Sequence, residues 1–164
     1  MNDPRPLSPA RVVLRRAVLA DVEAIVRLGH AGGPPGSSRE PLLLPLPAAY
    51  FESFAAIDAD PRSTLMVAEL EGVVVGTWQV TYLAYLAAKG RTDALVEAVH
   101  VSEKHRDHGI GTQMMTWAIE EARRRGCRRV QLTTDKRRAN AHRFYEKLGF
   151  VATHEGMKLT FAPM

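Results

Sequence analysis

The 164-residue chain has one cysteine, Cys127. A single thiol allows no internal disulfide and no cysteine-rich zinc centre. Long apolar runs are missing too. The best uninterrupted one is Tyr82 to Ala88, far short of the roughly 18 residues a membrane-spanning helix needs. The opening MNDPRPLSPA lacks the charged-then-apolar order of a signal peptide. Neither sign of charge dominates, since 22 basic and 18 acidic residues leave +4. That excess admits an anionic ligand or nucleic acid without choosing between them. Apolar residues at 46% and charged residues at 24% argue against disorder, collagen and coiled coil. The expectation is a cytoplasmic enzyme or binding domain with a real core.

Residues 1–10 hold three prolines and read as a disordered lead-in, leaving residues 11–164 as a single domain. Arg11 to Arg16 is a short strand candidate. From Asp21, the spacing of Val22, Ile25, Val26 and Leu28 predicts a helix ending near Gly29. Residues 32–47, rich in glycine and proline, read as a long loop. Ala48 to Asp58 carries Tyr50, Phe51, Phe54 and Ile57 at helical spacing. Leu65 to Leu70 and Val73 to Tyr82 read as strands joined at Glu71-Gly72. Ala94 to Val101 is a further strand. A helix to about Arg125, a strand from Arg129 to Thr134 and a helix from Ala139 to Leu148 follow. Gly149 caps that last helix, and Phe150 to Phe161 reads as final strand material. The order describes a mixed α/β sheet.

The chemistry concentrates between Glu97 and Phe150. In Arg106-Asp107-His108-Gly109-Ile110-Gly111-Thr112 a strand gives way to a loop with two glycines and then to an amphipathic helix. Ile110, Met114, Trp117, Ala118 and Ala122 form the predicted buried stripe of that helix. Glycine lets backbone approach a ligand closely. The first helical N–H groups have no intrahelical partner, which makes an anion site suited to a pyrophosphate. Plain packing is the alternative for a Gly-x-Gly at a helix start. The Gly-Lys-Ser/Thr ending of a P-loop is absent, and Met114 stands where a dinucleotide fingerprint has its third glycine.

About 30 residues further on, Asn140 begins a segment running through Phe144-Tyr145 to Gly149-Phe150. Together the two segments resemble the GNAT superfamily of acyl-CoA N-acyltransferases. Arg106 to Gly111 match its Arg/Gln-x-x-Gly-x-Gly/Ala signature, and the later segment matches its Asn…Phe-Tyr…Gly-Phe helix. The stretch Asp135 to Tyr145 is also similar to bacterial aminoalkylphosphonate N-acetyltransferases within that superfamily. The resemblance implies a mostly antiparallel central sheet flanked by helices and splayed at the strand before the phosphate loop. It implies acetyl-CoA as co-substrate, with pantetheine laid along the strand end Val99-His100-Val101. Arg106, Asp107, His108, Gly109, Ile110, Gly111 and Thr112 would cradle the pyrophosphate, and Asn140 would hold the pantetheine arm. Tyr145 would protonate the departing thiolate. A homodimer is implied at the same level.

The chemistry calls for such groups. A lysine-like amine, with a pKa of about 10.4, must lose a proton before attacking a thioester at neutral pH. Glu97 is the candidate general base, and strict strand alternation puts it on the face of Val99 and Val101. The bland alternative for Glu97 is a solvated strand glutamate; for Tyr145, a core aromatic; for Asn140, a helix cap. By the same alternation His100 points away from Glu97 and reads as a packed or exposed side chain. His108 reads as surface loop. Arg137 and Arg138 suit a solvated loop, a cofactor phosphate or an anionic acceptor. No acidic or histidine spacing suggests a metal. Cys127 reads as a structural thiol. The expected function is direct acetyl transfer to the primary amine of a small molecule, without nucleic-acid or membrane partners. An acyl-CoA sensor without catalysis, or a protein or peptide N-acetyltransferase, are the alternatives. In the acceptor region, Glu52 or Asp58 would suit a cationic amine and Arg39 or Arg91 an anionic one.

Overall fold

A computed structural model describes residues 12–32 and 41–161. The lead-in expected at residues 1–10 and residues 33–40 of the loop at 32–47, Arg39 among them, lie outside the described residues. The chain divides into two compact units, Met1–Leu132 and Thr133–Met164.

The first unit is built on five strands: β1 (Val13–Arg16), β2 (Ser63–Leu70), β3 (Val73–Ala84), β4 (Thr92–Val101) and β5 (Val130–Leu132). They lie side by side in sequence order. The first three pairings are antiparallel and β4 with β5 is parallel, so the sheet is mixed as expected. Helices α1 (Val22–Ala31), α2 (Ala48–Ala59) and α3 (Ile110–Arg124) flank it. The β2–β3 hairpin turns at Glu71 and Gly72, with φ of 51° and 80°. That double left-handed turn suits the twist of the two strands.

The core follows the two-residue period of the strands and the helical period of α3. Trp78, Val80, Tyr82, Ala94 and Val96 are buried on one face of the sheet. Ile110, Met114, Met115, Ala118 and Ala122 are the buried residues of α3. Met115 is thus fully enclosed where Trp117 was expected. Trp117 is only half-buried, but its ring meets Trp78 edge-on with centroids 5.6 Å apart. The opposite face carries Thr77 and Gln79 and is approached by α1, whose end meets His100.

A charged cluster joins β1 to the entry of α1. Arg15 donates to both oxygens of Asp21 at 2.7 and 2.9 Å, and the Val18 N–H donates to the same carboxylate at 2.8 Å. The Arg15 hydrogen bonds hold the Asp21 carboxyl below its ordinary value, against the opposing effect of burial, and the Val18 amide adds to them. A depressed carboxylate contributes stability above its unfolded pKa, about 4, and loses it as pH falls through the folded value. Asp21→Asn is therefore expected to cost about 2 kcal/mol near neutrality, since Arg15 keeps some solvent screening. Urea unfolding at pH 7 should show that gap, and the gap should narrow below pH of about 4.

The second unit holds α4 (Ala139–Lys147). Gly149 follows it at φ 90°, the left-handed exit its position predicts. The final strand expected over Phe150 to Phe161 is not formed, and residues 151–161 are exposed throughout. Met157, Leu159 and Phe161 alternate as a strand would, yet are 97%, 82% and 81% exposed. Alternation alone makes no strand, because the ladder needs a neighbouring edge to receive its hydrogen bonds. The segment instead lies beside the start of its own unit, where Lys136 and Glu155 pair at 3.1 Å.

Candidate active site

The parallel ladder between β4 and β5 covers only Ala94–Val130, Leu95–Gln131 and Val96–Leu132. From Glu97 to Val101 the β5-side edge of β4 has no strand partner among the described residues. An edge like this presents backbone donors and acceptors to an extended ligand. It is the splay expected before the loop.

β4 carries a second irregularity at the same point. Gln79 faces Glu97 and Thr77 faces His100, so Trp78 stands opposite an extra residue. Ala98 adopts φ 50° there, a left-handed conformation that costs a non-glycine residue about 1 kcal/mol. The bulge overturns the expected alternation. Glu97 and His100 share the face of Thr77 and Gln79, and Glu97 does not share one with Val99 and Val101. Glu97 is exposed. The His100 side chain packs on the end of α1. A Cβ built on Gly32 would stand 2.1 Å from His100 Nδ1, and one on Gly29 would lie 3.9 Å from Nε2. Gly32→Ala is expected to displace that ring and cost about 1–3 kcal/mol by overpacking. Thermal unfolding checks this.

After Val101 the chain passes through a 3₁₀ turn, Glu103–His105, into the loop. Asp107 at φ 63° and Gly109 at φ 77° twist the backbone before Ile110 starts α3. The Gly109 carbonyl accepts from the Gln113 N–H at 3.0 Å. Among the described residues no backbone carbonyl accepts from the N–H groups of residues 107–112. A Cβ on Gly109 would meet no heavy atom within 4 Å, so its glycine serves the turn and open space above it. Arg106 donates through Nε to the Val101 carbonyl at 3.3 Å and is exposed, as is His108, whose Nδ1 lies 2.6 Å from the Arg106 carbonyl. Ile110 is buried under the helix start, Gly111 is half-buried and Thr112 exposed. Free amides, left-handed turns and an exposed arginine suit a diphosphate.

The second unit brings Asn140 and Tyr145 onto α4. Asn140 is exposed, and its Oδ1 accepts a hydrogen bond from Arg143. The Tyr145 ring lies 5.1 Å from Phe144 and 5.9 Å from Phe150. Burial pushes the Tyr145 phenol above its ordinary value, while the Arg138 charge opposes the shift. Arg137 is tied to Asp135 at 2.8 Å, in keeping with the solvated-loop reading. In the first unit, burial pushes the Cys127 thiol up as well, which disfavours a thiolate nucleophile there. Among the described residues no three histidine, cysteine, aspartate or glutamate side chains gather as a metal site would.

The chain belongs to the acetyltransferase (GNAT) family, whose pattern matches residues 37–150. It is 34% identical over 106 residues to an aminoalkylphosphonate N-acetyltransferase of Salmonella typhimurium, covering 65% of this chain and 68% of that one. A solved structure of a transcriptional regulator from Bacillus halodurans is 43% identical, with TM-score 0.86, covering 92% of this chain and all of the other. A Trypanosoma brucei acetyltransferase superposes with TM-score 0.75 at 23% identity, over 92% of this chain and all of the other, which speaks to the fold alone. The family uses acetyl-CoA, and the chain is an acetyltransferase by class.

Proposed function

We propose that residues 11–164 act as one domain that moves the acetyl group of acetyl-CoA directly to the primary amine of a small molecule. The observation that carries this reading is that, among the described residues, the β4 edge from Glu97 to Val101 has no strand partner and runs into residues 107–112, whose amides donate to no backbone carbonyl. Pantetheine would lie along Val99, His100 and Val101 as an added strand. A β4 amide would polarise the thioester carbonyl, where negative charge develops in the transition state. The pyrophosphate would rest on Arg106 to Thr112, and Asn140 would bond the pantetheine arm.

In this mechanism Glu97, or a water it holds, takes a proton from the acceptor ammonium. The nitrogen lone pair attacks the thioester carbon and forms the C–N bond. The tetrahedral adduct loses its second nitrogen proton to water and collapses with loss of the C–S bond, and Tyr145 gives its phenolic proton to the thiolate. The amide product and free CoA leave, Glu97 returns its proton to solvent, and Tyr145 recovers one from it. The exposed position of Glu97 on the α1 side of the sheet supports the base role, since an acceptor can reach it there.

The regulator name carried by the 43% identical structure favours a second reading, an acyl-CoA sensor without catalysis. Such a protein would need the β4 edge and the amide loop but neither Glu97 nor Tyr145. Calorimetry with acetyl-CoA, followed by thiol release against a panel of amines, separates the readings. Binding with turnover supports transfer. Binding without turnover against any amine supports the sensor. No binding removes both.

A further inference from the structure

We propose that Arg91 and Arg129, clamped by the buried carboxylate of Asp93, form an anchor for an acidic group on the acceptor amine. This rests on the transfer reading above and adds the acceptor's second functional group. Asp93 is fully enclosed near the start of β4. Its Oδ2 accepts from Arg91 Nε at 3.1 Å and from Arg129 Nε at 2.9 Å. The Arg91 guanidinium also lies over the Tyr85 ring, 4.8 Å from its centroid, which fixes its plane further.

Three features make this more than an internal ion pair. Two guanidiniums against one carboxylate leave a net charge of +1. Each arginine uses only Nε, and its terminal nitrogens donate no hydrogen bond within the described residues. The Arg91 and Arg129 side chains remain 23% and 47% accessible. The terminal nitrogens of the two guanidiniums can donate to an oxyanion of the carboxylate, phosphate or phosphonate class.

The position relates this cluster to the reacting centre. Asp93 pairs across the ladder with Leu83, Leu95 with Thr81, and Glu97 with Gln79. Before the bulge the alternation is regular, so Asp93, Leu95 and Glu97 share one face of β4. Four residues of strand separate Asp93 from Glu97, roughly 13 Å at about 3.3 Å per residue. Arginine and glutamate side chains shorten that gap. The acceptor is therefore a linear amine with its acid on the order of 10 Å from the nitrogen, the amine at Glu97 and the acid at Arg91 and Arg129.

The test begins with the unmodified chain labelled with ¹⁵N-arginine. 6-Aminohexanoate and an aminobutylphosphonate should each shift the Arg91 and Arg129 Nε–Hε signals saturably, whereas hexylamine should not. The acid that saturates at lower concentration identifies the oxyanion class. Kinetics supply the second arm. The Arg91→Gln/Arg129→Gln pair should raise KM for the acid-bearing amines at least tenfold and leave KM for hexylamine and acetyl-CoA unchanged. Arg129→Lys keeps the charge but loses the fork, so it should give a smaller rise in a chain that still balances Asp93. Absence of a saturable shift, or equal changes for acidic and neutral amines, overturns the anchor. Failure of the transfer reading shows separately, as no thiol release from acetyl-CoA with any amine, hexylamine included.

Discussion

Tyr145→Phe should lower kcat by about 10²–10³-fold while leaving the affinity for acetyl-CoA within a factor of about three. The phenylalanine ring keeps the contacts with Phe144 and Phe150, so the packing of α4 is preserved. Only the transferable proton is lost. Burial holds the phenol above its ordinary value of about 10, so the unmodified enzyme keeps its acid protonated across the neutral range and somewhat beyond. Its rate should fall on the alkaline side only above that ordinary value. The variant should lack this alkaline limb, because no phenol remains to titrate. Glu97→Gln provides the contrast. Removing the base should cost a comparable factor near neutrality, but rate should return as pH approaches the acceptor's own pKa of about 10.4 and free amine supplies itself. Stopped-flow thiol release across pH distinguishes the two. A Tyr145→Phe profile that keeps its alkaline limb and its rate would remove Tyr145 from the mechanism.

Much of the frame behind this prediction can be read from residue order. Helical spacing from Val22, from Ala48 and from Ile110 leads to α1, α2 and α3 within a residue or two. Turn chemistry at Glu71-Gly72 and Gly149 corresponds to observed left-handed residues. These are local signals, each carried by a few neighbours. What escapes the sequence is set by distant partners. Nothing about alanine advertises the left-handed Ala98, so a two-residue period placed Glu97 and His100 on opposite faces when the bulge puts them on one. Phe150 to Phe161 has the pattern of a strand, but pairing depends on an edge that no local window reveals. Gly29 and Gly32 look like a helix ending, and only the fold shows that they make room for His100.

The arginine cluster shows the same limit at the candidate acceptor site. Arg91 alone can be suggested as a partner for an anion. Arg129 lies 36 positions from Asp93 and had no visible connection to it. The parallel pairing of β4 with β5 brings them together, since the Ala94 N–H donates to the Arg129 carbonyl at 3.0 Å. The long-range register thus determines which charges meet, while composition determines only that charges are available.

Trp78→Ala is expected to have the largest effect on stability, about 3–5 kcal/mol. The side chain is fully buried, sits opposite the β4 bulge and meets Trp117 of α3 edge-on. Its removal leaves a cavity between the sheet and α3 where both neighbours are already packed. Against a typical total of about 5–15 kcal/mol, that loss would bring the chain close to unfolding at 37 °C. Trp78→Phe should cost much less. It keeps an aromatic ring on Trp117 and also removes the buried Nε1–H, which has no hydrogen-bond partner among the described residues and is a penalty of its own. Trp117→Ala should fall between them, because that ring is half-exposed. A double-mutant cycle of Trp78→Leu, which removes the ring, with Trp117→Ala should give a coupling of about 0.5–1.5 kcal/mol. Urea midpoints at constant m-value provide the measurement. Because Trp78 is the β3 residue facing the bulge, Trp78→Phe should also weaken acetyl-CoA binding more than its stability cost explains. Unchanged calorimetric affinity in a destabilised Trp78→Phe would show that the bulge holds its shape without this ring.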